Sequence, residues 1–292
     1  MANTKDLRNR IASVKNTQQT TKAMKMVSAA KLRKAQHAIV NSRPYAYRLR
    51  SVISKIASSK NISHPFLIQK ENPSSVLMIV LTSDRGLCGG FNSSVLKAAD
   101  RYYKENKTKY SKVDVYCIGR RAGDFFRKRS VEPLEVVTNL VKDIRYGMAQ
   151  ALTARVLEWY GTGAYDEVQI VYNEFKSAIA QIVVKETLLP VAAEVTAEQN
   201  VDTENTPGII FEPSPEVILD QLLEKHFAVQ VYRCMQESIA SEHGARMNAM
   251  ENATKNAGEA IRNLTLTLNK IRQAAITTEL IEITSGAEAL NG

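Results

Sequence analysis

Apolar residues at both ends of the chain recur with spacings of three and four. In the N-terminal segment these positions begin at Leu7, and their register can be followed as far as Ile56. In the C-terminal segment they extend from Ile218 to Ile281, and no proline interrupts them. Such spacing is typical of helices that pair along a coiled-coil seam. The pattern therefore predicts two long helices, one at each end of the chain, that pair with each other in antiparallel orientation.

The apolar pattern of the N-terminal helix is interrupted at two places. In its first half the register falls on the polar residues Gln18, Thr21, Lys25 and Ser28. Met24 and Val27 are apolar but lie one position away from the seam. We therefore expect the apolar stripe to rotate around the helix, as a coiled-coil stutter makes it do. Further on, Pro44 predicts a kink or a weak point.

The C-terminal helix has a well-marked start and an unusual length. Ser214, Pro215 and Glu216 supply a capping residue, a proline in the first turn and an acid near the positive end of the helix dipole. A single helix from there to about residue 284 would be about 100 Å long at 1.5 Å per residue. It would extend well past its N-terminal partner.

The middle of the chain alternates between strand-like and helix-like segments. Strands are predicted at Val76–Leu81, Val113–Ile118, Val131–Val137, Val168–Tyr172 and Ile182–Leu188. Helices are predicted between them at Ser94–Lys107, Arg121–Lys128 and Ile144–Trp159. This alternation favours a doubly wound, mostly parallel sheet. The predicted fold class is therefore α/β with two additional long helices that form an antiparallel coiled coil.

Changes in composition divide the chain into four predicted parts. The N-terminal coiled-coil helix occupies residues 1–60, the α/β domain residues 72–196 and the C-terminal coiled-coil helix residues 214–292. Between the last two, residues 197–213 are polar and contain Pro207 followed by glycine. This composition predicts a connector that returns the chain to the coiled coil.

Positive charge is concentrated in the N-terminal segment. Residues 1–60 hold 14 basic residues and one acidic residue, a net charge of +13, whereas the rest of the chain holds 25 basic and 29 acidic residues, a net charge of −4. Such a block binds nucleic acid, anionic lipid or an acidic protein surface. Nucleic-acid binding is therefore one hypothesis for the function. Few aromatic side chains are available for nucleic-acid bases to stack on, because Tyr45 and Tyr47 are the only aromatic residues in the segment.

The composition argues against several classes of site. Cys88, Cys117 and Cys234 show no CxxC spacing, which fits a reducing compartment without a disulfide framework. The four histidines lack the HExxH spacing, so a zinc site is not expected. No run of 18 apolar residues occurs, and the N-terminal segment lacks the apolar block of a secretory signal. We therefore expect neither a membrane span nor export.

A glycine-rich turn follows the first predicted strand and precedes a helix. Its sequence from Leu81 to Ser94 is LTSDRGLCGGFNSS, and many proteins bind phosphate groups in this setting. A P-loop needs Lys and then Ser or Thr after its last glycine, but Gly90 is followed by Phe91 and Asn92. The glycine spacing does not match GxGxxG either. A nucleotide-binding enzyme is therefore the weakest hypothesis, and the glycines are interpreted as giving backbone freedom to a tight turn.

The same turn carries three polar residues before its first glycine. These are Ser83, Asp84 and Arg85. We expect their side chains to be exposed, which makes them candidates for contact with another protein subunit.

Five segments of the chain resemble the gamma subunit of F-type ATP synthases. They are Arg10–His37, Ser83–Asn92, Tyr172–Gln181, Ser241–Gly258 and Leu268–Ile283. The resemblance covers nearly the whole chain and includes both end helices and the glycine-rich turn in the same order. It implies a central rotor subunit, which couples the proton-driven rotation of a membrane ring to ATP synthesis or hydrolysis in a ring of partner subunits.

The resemblance also implies partners and a location. The two end helices would form a shaft inside a ring of alpha and beta subunits, and the α/β domain would bind the epsilon subunit and the membrane ring of c subunits. No catalytic residue, cofactor or metal is implied, and neither nucleic acid nor a small molecule is an implied ligand. The implied location is peripheral, on the cytoplasmic face of a bacterial cell membrane, with an organellar inner membrane as the less favoured alternative.

The resemblance assigns individual residues to the contact with the catalytic ring. They are Met24, Lys25, Arg246, Arg272, Gln273 and Thr277, and the apolar tip from Leu280 to Leu290 would lie in the upper bearing. Two positions depart from the family pattern, because family members usually have Ala in place of Gly244 and Gln in place of Thr278. The first change is expected to soften the helix and the second to weaken a polar contact. The two-cysteine insertion of chloroplast relatives is absent, so no thiol switch is expected.

Overall fold

The computed structural model describes residues 4–59, 64–139, 146–191 and 215–291. Its helices are α1 (Thr4–Ser59), α2 (Phe91–Lys109), α3 (Arg120–Arg127), α4 (Tyr146–Gly161) and α5 (Pro215–Asn291). Its strands are β1 (Ser75–Leu81), β2 (Lys112–Ile118), β3 (Glu135–Val137), β4 (Glu167–Phe175) and β5 (Gln181–Leu189). The predicted connector at residues 197–213 lies outside the described residues.

The five strands form one sheet in the order β3-β2-β1-β4-β5. Strands β3, β2, β1 and β4 are parallel, and β5 runs antiparallel to β4. The chain moves outward from β1 to β2 and β3, and then returns to the other side of β1 to form β4. This path makes the sheet doubly wound and confirms the predicted fold class. The point at which the strand order reverses lies between β1 and β4.

Strand β1 lies at the centre of the sheet, and all seven of its residues are buried. Leu77, Ile79 and Leu81 belong to a core that also includes residues of α4 and parts of α1 and α5. Met78 and Val80 belong to a second core, which includes residues of α2 and α3. Successive side chains of a strand point to opposite faces. The continuous apolar run that predicted this strand therefore serves both cores.

Strand β3 is shorter than the sequence predicted. The predicted strand was Val131–Val137, but only Glu135–Val137 pairs with β2. The N–H of Val131 donates instead to the carbonyl oxygen of Phe126 at 3.1 Å, at the end of α3. Pro133 has no N–H to donate to a strand ladder. The first half of the predicted strand is therefore an irregular connection that follows a helix.

The chain forms two structural units. Residues 1–28 and 246–292 make up the helix-pair unit, which holds the first part of α1 and the second part of α5. Residues 29–245 make up the sheet unit, which holds the sheet, α2, α3, α4 and the remaining parts of the two long helices. The four-part division read from the sequence, with boundaries near residues 60, 72, 197 and 214, stays a prediction.

Helix α1 continues through Pro44, and its buried positions keep the predicted register. Buried seam positions are Leu7, Thr21, Ser28, Leu32, Ala35, Ile39, Leu49 and Ile53. The predicted rotation of the stripe is wrong, because Val27 is 57% exposed while Thr21 and Ser28 stay buried. Short hydroxyl side chains can remain in a buried seam when a hydrogen-bond partner is available.

The first part of α5 is buried on more than one side. Leu219 is fully buried and Leu223 is 1% exposed, whereas the predicted seam residues Ile218 and Leu222 are only half-buried. The predicted seam is therefore displaced by one position here. The physical reason is that this part of α5 lies in the core of the sheet unit. A helix in a core is apolar around most of its circumference, so a narrow seam does not describe it.

Candidate partner-contact surfaces

The helix-pair unit brings α1 and α5 together in antiparallel orientation. The Oγ1 atoms of Thr21 and Thr254 lie 2.8 Å apart, and Lys25 Nζ lies 3.1 Å from the carboxylate of Glu251. A later residue of α1 thus pairs with an earlier residue of α5, as predicted. Met250, a predicted seam residue of α5, is 4% exposed.

Met24 and Lys25, two candidates for contact with the catalytic ring, lie on this pair of helices. The side chains of Lys25 and Glu251 are 38% and 37% exposed. The hydrogen bond from Lys25 and its positive charge lower the pKa of Glu251, and Lys255 adds to this effect. Met24 is half-buried. Lys25 is therefore held by Glu251 but keeps accessible surface for a partner.

Arg246 is buried to an extent that the sequence did not indicate. The residue is only 9% exposed, although the resemblance assigned it to a contact with the catalytic ring. Little of its guanidinium group is available for direct contact with another subunit. A role for Arg246 through the structure of α5 fits this burial better than a role as an exposed contact.

Arg272, Gln273 and Thr277 lie on an exposed part of α5. Every residue from 272 to 287 is exposed in the described structure. The hydroxyl of Thr277 donates to the carbonyl oxygen of Gln273 at 3.0 Å, and that of Thr278 donates to Ala274 in the same way. The apolar residues exposed by half or more in this stretch are Ile276, Leu280, Ile281 and Ile283. A helix with both polar and apolar side chains exposed is typical of a surface that another protein covers.

The glycine-rich turn after β1 forms a closed hydrogen-bonded loop. Ser83 is fully buried, and its hydroxyl donates to the carbonyl oxygen of Arg85 at 2.6 Å. The N–H of Ser83 donates to Asn92 Oδ1 at 3.0 Å. The expectation that the Ser83 side chain is exposed is wrong, because its polar groups are used inside the loop. Arg85 is exposed, as expected.

Asp84 connects the loop after β1 to the loops after β2 and β3. Its carboxylate accepts hydrogen bonds from the backbone N–H of Arg120 at 2.9 Å and from that of Asn139 at 2.9 Å. Arg120 is the first residue of α3, so the carboxylate lies at the positive end of that helix. Asp84 is only partly exposed, and we interpret it as a structural residue. It occupies the position at which α3 would otherwise bind an anion.

The close approach of these loops requires glycine at one position. Gly119 has a φ of 101°, and a Cβ atom built there would lie 2.2 Å from the carbonyl oxygen of Thr82. No other residue can occupy the position without displacing the backbone. In the glycine-rich turn itself, Gly89 has a φ of 56° and Leu87 has a φ of 62°. The interpretation that the glycines give backbone freedom to a tight turn is thus supported at Gly89. Leu87 adopts the same left-handed backbone region although it is not a glycine.

Strand β4 links α5 to this loop through two residues that the sequence analysis did not single out. Ser241 Oγ donates to the carbonyl oxygen of Asn173 at 3.1 Å. Asn173 Nδ2 in turn donates to the carbonyl oxygen of Phe91 at 3.2 Å. The one signal available in the sequence was a polar residue, Asn173, directly after the apolar run of a predicted strand.

The described residues offer no metal site and no membrane span. None of their His, Cys, Asp and Glu side chains form a group of three or more that could hold a metal ion. None of the described helices has a stretch that is long and apolar enough to cross a membrane. Cys88, Cys117 and Cys234 are buried free thiols. Burial raises the pKa of Cys117 to about 12, so this thiol is protonated at neutral pH.

Comparison with known proteins assigns the chain to a family. A family model described as ATP synthase matches residues 3–290. The ATP synthase gamma chain of Bdellovibrio bacteriovorus is 57% identical over 295 residues, with both chains covered completely. That of Geobacter metallireducens is 47% identical over 292 residues, again with both chains covered completely. The chain belongs to the ATP synthase gamma-chain family.

Solved structures agree with this membership in the gamma-chain family. The chain is similar to one from the central stalk and c-ring of the Tetrahymena thermophila mitochondrial ATP synthase, with 27% identity and a TM-score of 0.59, over 80% of this chain and 99% of the other. A chain from the Euglena gracilis mitochondrial ATP synthase shares the fold, with a TM-score of 0.69 and 23% identity, over 98% of this chain and 94% of the other. Neither the structure nor these comparisons support the nucleic-acid hypothesis.

Proposed function

We propose that this chain is the central rotor subunit that couples rotation of a membrane ring to ATP synthesis or hydrolysis in a ring of alpha and beta subunits. Its membership of the gamma-chain family makes it a central-stalk subunit of an ATP synthase. The observation that carries the mechanism is the antiparallel pairing of two long helices, at Thr21 with Thr254 and at Lys25 with Glu251. Two paired helices resist bending and twisting more than a single helix does, as a shaft requires.

The exposed end of α5 is the part that we assign to the interior of the catalytic ring. Arg272, Gln273 and Thr277 would contact the ring there, and the apolar residues from Leu280 onward would lie in its upper bearing. Support comes from four large apolar side chains that are 50–63% exposed on the described helix, namely those of Ile276, Leu280, Ile281 and Ile283. A group of exposed apolar side chains is typical of a surface that a partner covers. The part of the tip from residue 288 to 290 has no described side chains.

The basic N-terminal helix is the part that we assign to charged contacts with the catalytic ring. The net charge of +13 over residues 1–60 would complement an acidic surface on the subunits of the ring. Individual exposed ion pairs contribute little, about 0–1 kcal/mol each. Such contacts suit a rotor, because it must leave each contact as it turns. Lys25 is one of the residues that we assign to these contacts with the ring, and Met24 lies beside it. Arg85, on the glycine-rich turn, is a further exposed candidate for contact with another subunit.

The sheet unit is the part that we assign to the epsilon subunit and the c-subunit ring. In this arrangement the chain is a peripheral protein at the cytoplasmic face of a bacterial cell membrane, held there by its partners. It does not catalyse ATP turnover by itself and needs no cofactor. Support comes from the glycine-rich turn, which lacks the lysine of a P-loop and whose Asp84 carboxylate fills the anion position at α3.

Reconstitution tests the proposed function. We expect the purified chain to show no ATP hydrolysis and to assemble with alpha and beta subunits into a complex that hydrolyses ATP. Combined with the epsilon subunit, the other subunits of the ATP synthase and its membrane sector in closed vesicles, this complex should pump protons when ATP is added. The matched control is the same mixture without the chain, which should not pump. ATP turnover by the isolated chain, or pumping that is independent of it, would contradict the proposal.

A further inference from the structure

A ring of contacts joins α5 to the sheet at the point where the strand order reverses. Ser241 of α5 donates to the carbonyl oxygen of Asn173 on β4, and Asn173 donates to the carbonyl oxygen of Phe91 at the end of the glycine-rich turn. The side chain of Phe91 packs with Cys88 and with Ala245 in a buried cluster. Ala245 follows Ser241 by four residues on the same face of α5. The contacts therefore lead from α5 to β4, to the turn and back to α5.

Every member of this ring is buried. The exposed fractions are 0% for Ser241, 2% for Asn173, 4% for Phe91 and 9% for Ala245. Buried hydrogen bonds are demanding, since a donor or acceptor left without a partner costs about 1–3 kcal/mol. Rotation of α5 about its own axis would break the Ser241 bond and separate Ala245 from Phe91, which Asn173 holds in place from β4. The ring thus selects one angle of α5 against the sheet.

A close backbone contact supports the same angle. A Cβ atom built on Gly244 would lie 3.2 Å from the carbonyl oxygen of Ala178, in the turn between β4 and β5. Glycine in a helix interior costs about 1 kcal/mol relative to alanine, and the approach of the turn gives a reason for its presence. Gly244 lies between Ser241 and Ala245 in the sequence. Within about one turn of α5, Gly244 therefore approaches the turn between β4 and β5 and Ala245 packs against the glycine-rich turn.

The contacts of Ser241, Gly244 and Ala245 with the sheet and its loops form a seat for α5. This seat lies where doubly wound proteins bind their ligands. In such folds the ligand lies at the carboxyl ends of the strands, where the strand order reverses. Here Asn173 near the end of β4 and the glycine-rich turn after β1 flank that point, and α5 contacts both. A site that holds a ligand in related architectures holds part of the chain's own long helix in this protein.

We infer that Asn173 is a positioning residue that acts through Phe91, because its side chain holds the residue against which Ala245 packs, and that the resulting seat fixes the angle of α5 and carries torque between the sheet and the helix. The inference rests on the proposed rotor function. A helix that can turn on its seat does not pass on the full rotation of the sheet. Weakening the seat should therefore reduce the number of protons moved per ATP hydrolysed and leave hydrolysis in place.

The test compares two buried asparagines in the complete ATP synthase in closed membrane vesicles. Asn173→Ala removes the bond to Phe91. The control Asn106→Ala removes a bond to Gln169 at 3.0 Å between α2 and β4, and Asn106 is also 2% exposed. We expect both variants to lose similar thermal stability. Proton pumping per ATP hydrolysed should fall by roughly twofold or more in Asn173→Ala only, the size of effect that residues in coupling networks have.

The hydroxyl of Ser241 supplies a second test. Ser241→Ala removes the bond that α5 donates to the backbone carbonyl oxygen of Asn173. We expect pumping per ATP hydrolysed to fall in Ser241→Ala as it does in Asn173→Ala, and not in the control Asn106→Ala.

Two results would overturn the inference. One is an equal pumping ratio in Asn173→Ala and Asn106→Ala, and the other is a Ser241→Ala variant that pumps as many protons per ATP as the unmodified protein. Failure of the proposed function looks different, because the unmodified chain would then fail to support pumping at all.

Discussion

Single carboxylates at the two edges of the sheet hold the loops that meet there. At the carboxyl edge, Asp84 connects three loops through backbone N–H groups. At the amino edge, Asp166 accepts hydrogen bonds from the N–H and hydroxyl groups of Ser74 and Ser75 and from Lys70. Burial alone would raise the pKa of Asp166, but these hydrogen bonds outweigh it and hold the pKa well below its usual range. The ionised carboxylate is thus part of the folded state.

The low pKa of Asp166 leads to a pH-dependent stability. Because the folded-state pKa is depressed, the stabilisation is fully present above the unfolded pKa of about 4 and is lost as the pH falls below it. We expect Asp166→Asn to lower the free energy of unfolding by about 2 kcal/mol at pH 7. The deficit relative to the unmodified chain should shrink as the pH falls from about 5 towards 3. Denaturant unfolding of the full chain at several pH values measures this.

An exposed aspartate provides the control for this prediction. Asp124 lies on α3 with an exposed side chain, so Asp124→Asn should change the free energy of unfolding little at any pH. A deficit of Asp166→Asn that stays constant between pH 7 and pH 3 would show that the ionised form contributes nothing specific.

At the scale of elements, the seam between α1 and α5 is polar where a coiled coil is usually apolar. The hydroxyl oxygens of Thr21 and Thr254 lie 2.8 Å apart, and either hydroxyl can be the donor. Each hydroxyl also lies within hydrogen-bond distance of a carbonyl oxygen of its own helix, that of Gln18 at 3.0 Å for Thr21 and that of Met250 at 2.7 Å for Thr254. Gly258 lies across from Gln18, whose Nε2 would be 3.1 Å from a Cβ atom at that position. Polar seam residues specify the register of paired helices, because a shifted pairing leaves them without partners.

The coupling between the two threonines can be measured with a double-mutant cycle. We expect Thr21→Val and Thr254→Val each to lower the free energy of unfolding by about 1 kcal/mol. The double variant should lose less than the sum, because two apolar groups of the same shape leave no unpaired hydroxyl. Thr267→Val is the control, since Thr267 bonds only within its own helix, to Asn263 at 3.0 Å. Additive losses in the double variant would contradict the pairing.

At the scale of the whole molecule, burial separates residues that support the fold from residues that are available to partners. Arg246 is 9% exposed, whereas Arg272 is exposed on the surface of α5. Both were assigned to contacts with the catalytic ring on the basis of resemblance alone. A buried arginine and an exposed arginine respond differently to reversal of their charge, since an unpaired charge costs far more in a buried position than on the surface.

Charge reversal at the two arginines separates these roles. We expect Arg272→Glu to leave the unfolding temperature of the isolated chain within a degree or two, because exposed substitutions change stability by about 0.5 kcal/mol or less. In the assembled complex it should nevertheless lower ATP-driven proton pumping. Arg246→Glu should lower both the unfolding temperature and pumping. Thermal unfolding and vesicle pumping assays provide the two measurements. A loss of stability in Arg272→Glu equal to that in Arg246→Glu would contradict the assignment.

The sequence by itself determined the elements and their order. The three-and-four spacing predicted both long helices and their pairing, and the apolar runs placed all five strands of a mostly parallel sheet. The missing lysine after Gly90 was enough to argue against a nucleotide site. Such features are local, because the period of a pattern reports which face of a helix or strand is buried.

Only the tertiary structure decided what each buried face meets. Asp84 bonds to residues 36 and 55 positions further along the chain, and Asn173 bonds to Phe91, 82 positions earlier. No local pattern distinguishes Ser83, which is buried, from its exposed neighbour Arg85. Burial and hydrogen bonding at such positions depend on which distant segment packs against them. That choice is made by the combined packing of the whole chain, so it cannot be read from spacing along one segment.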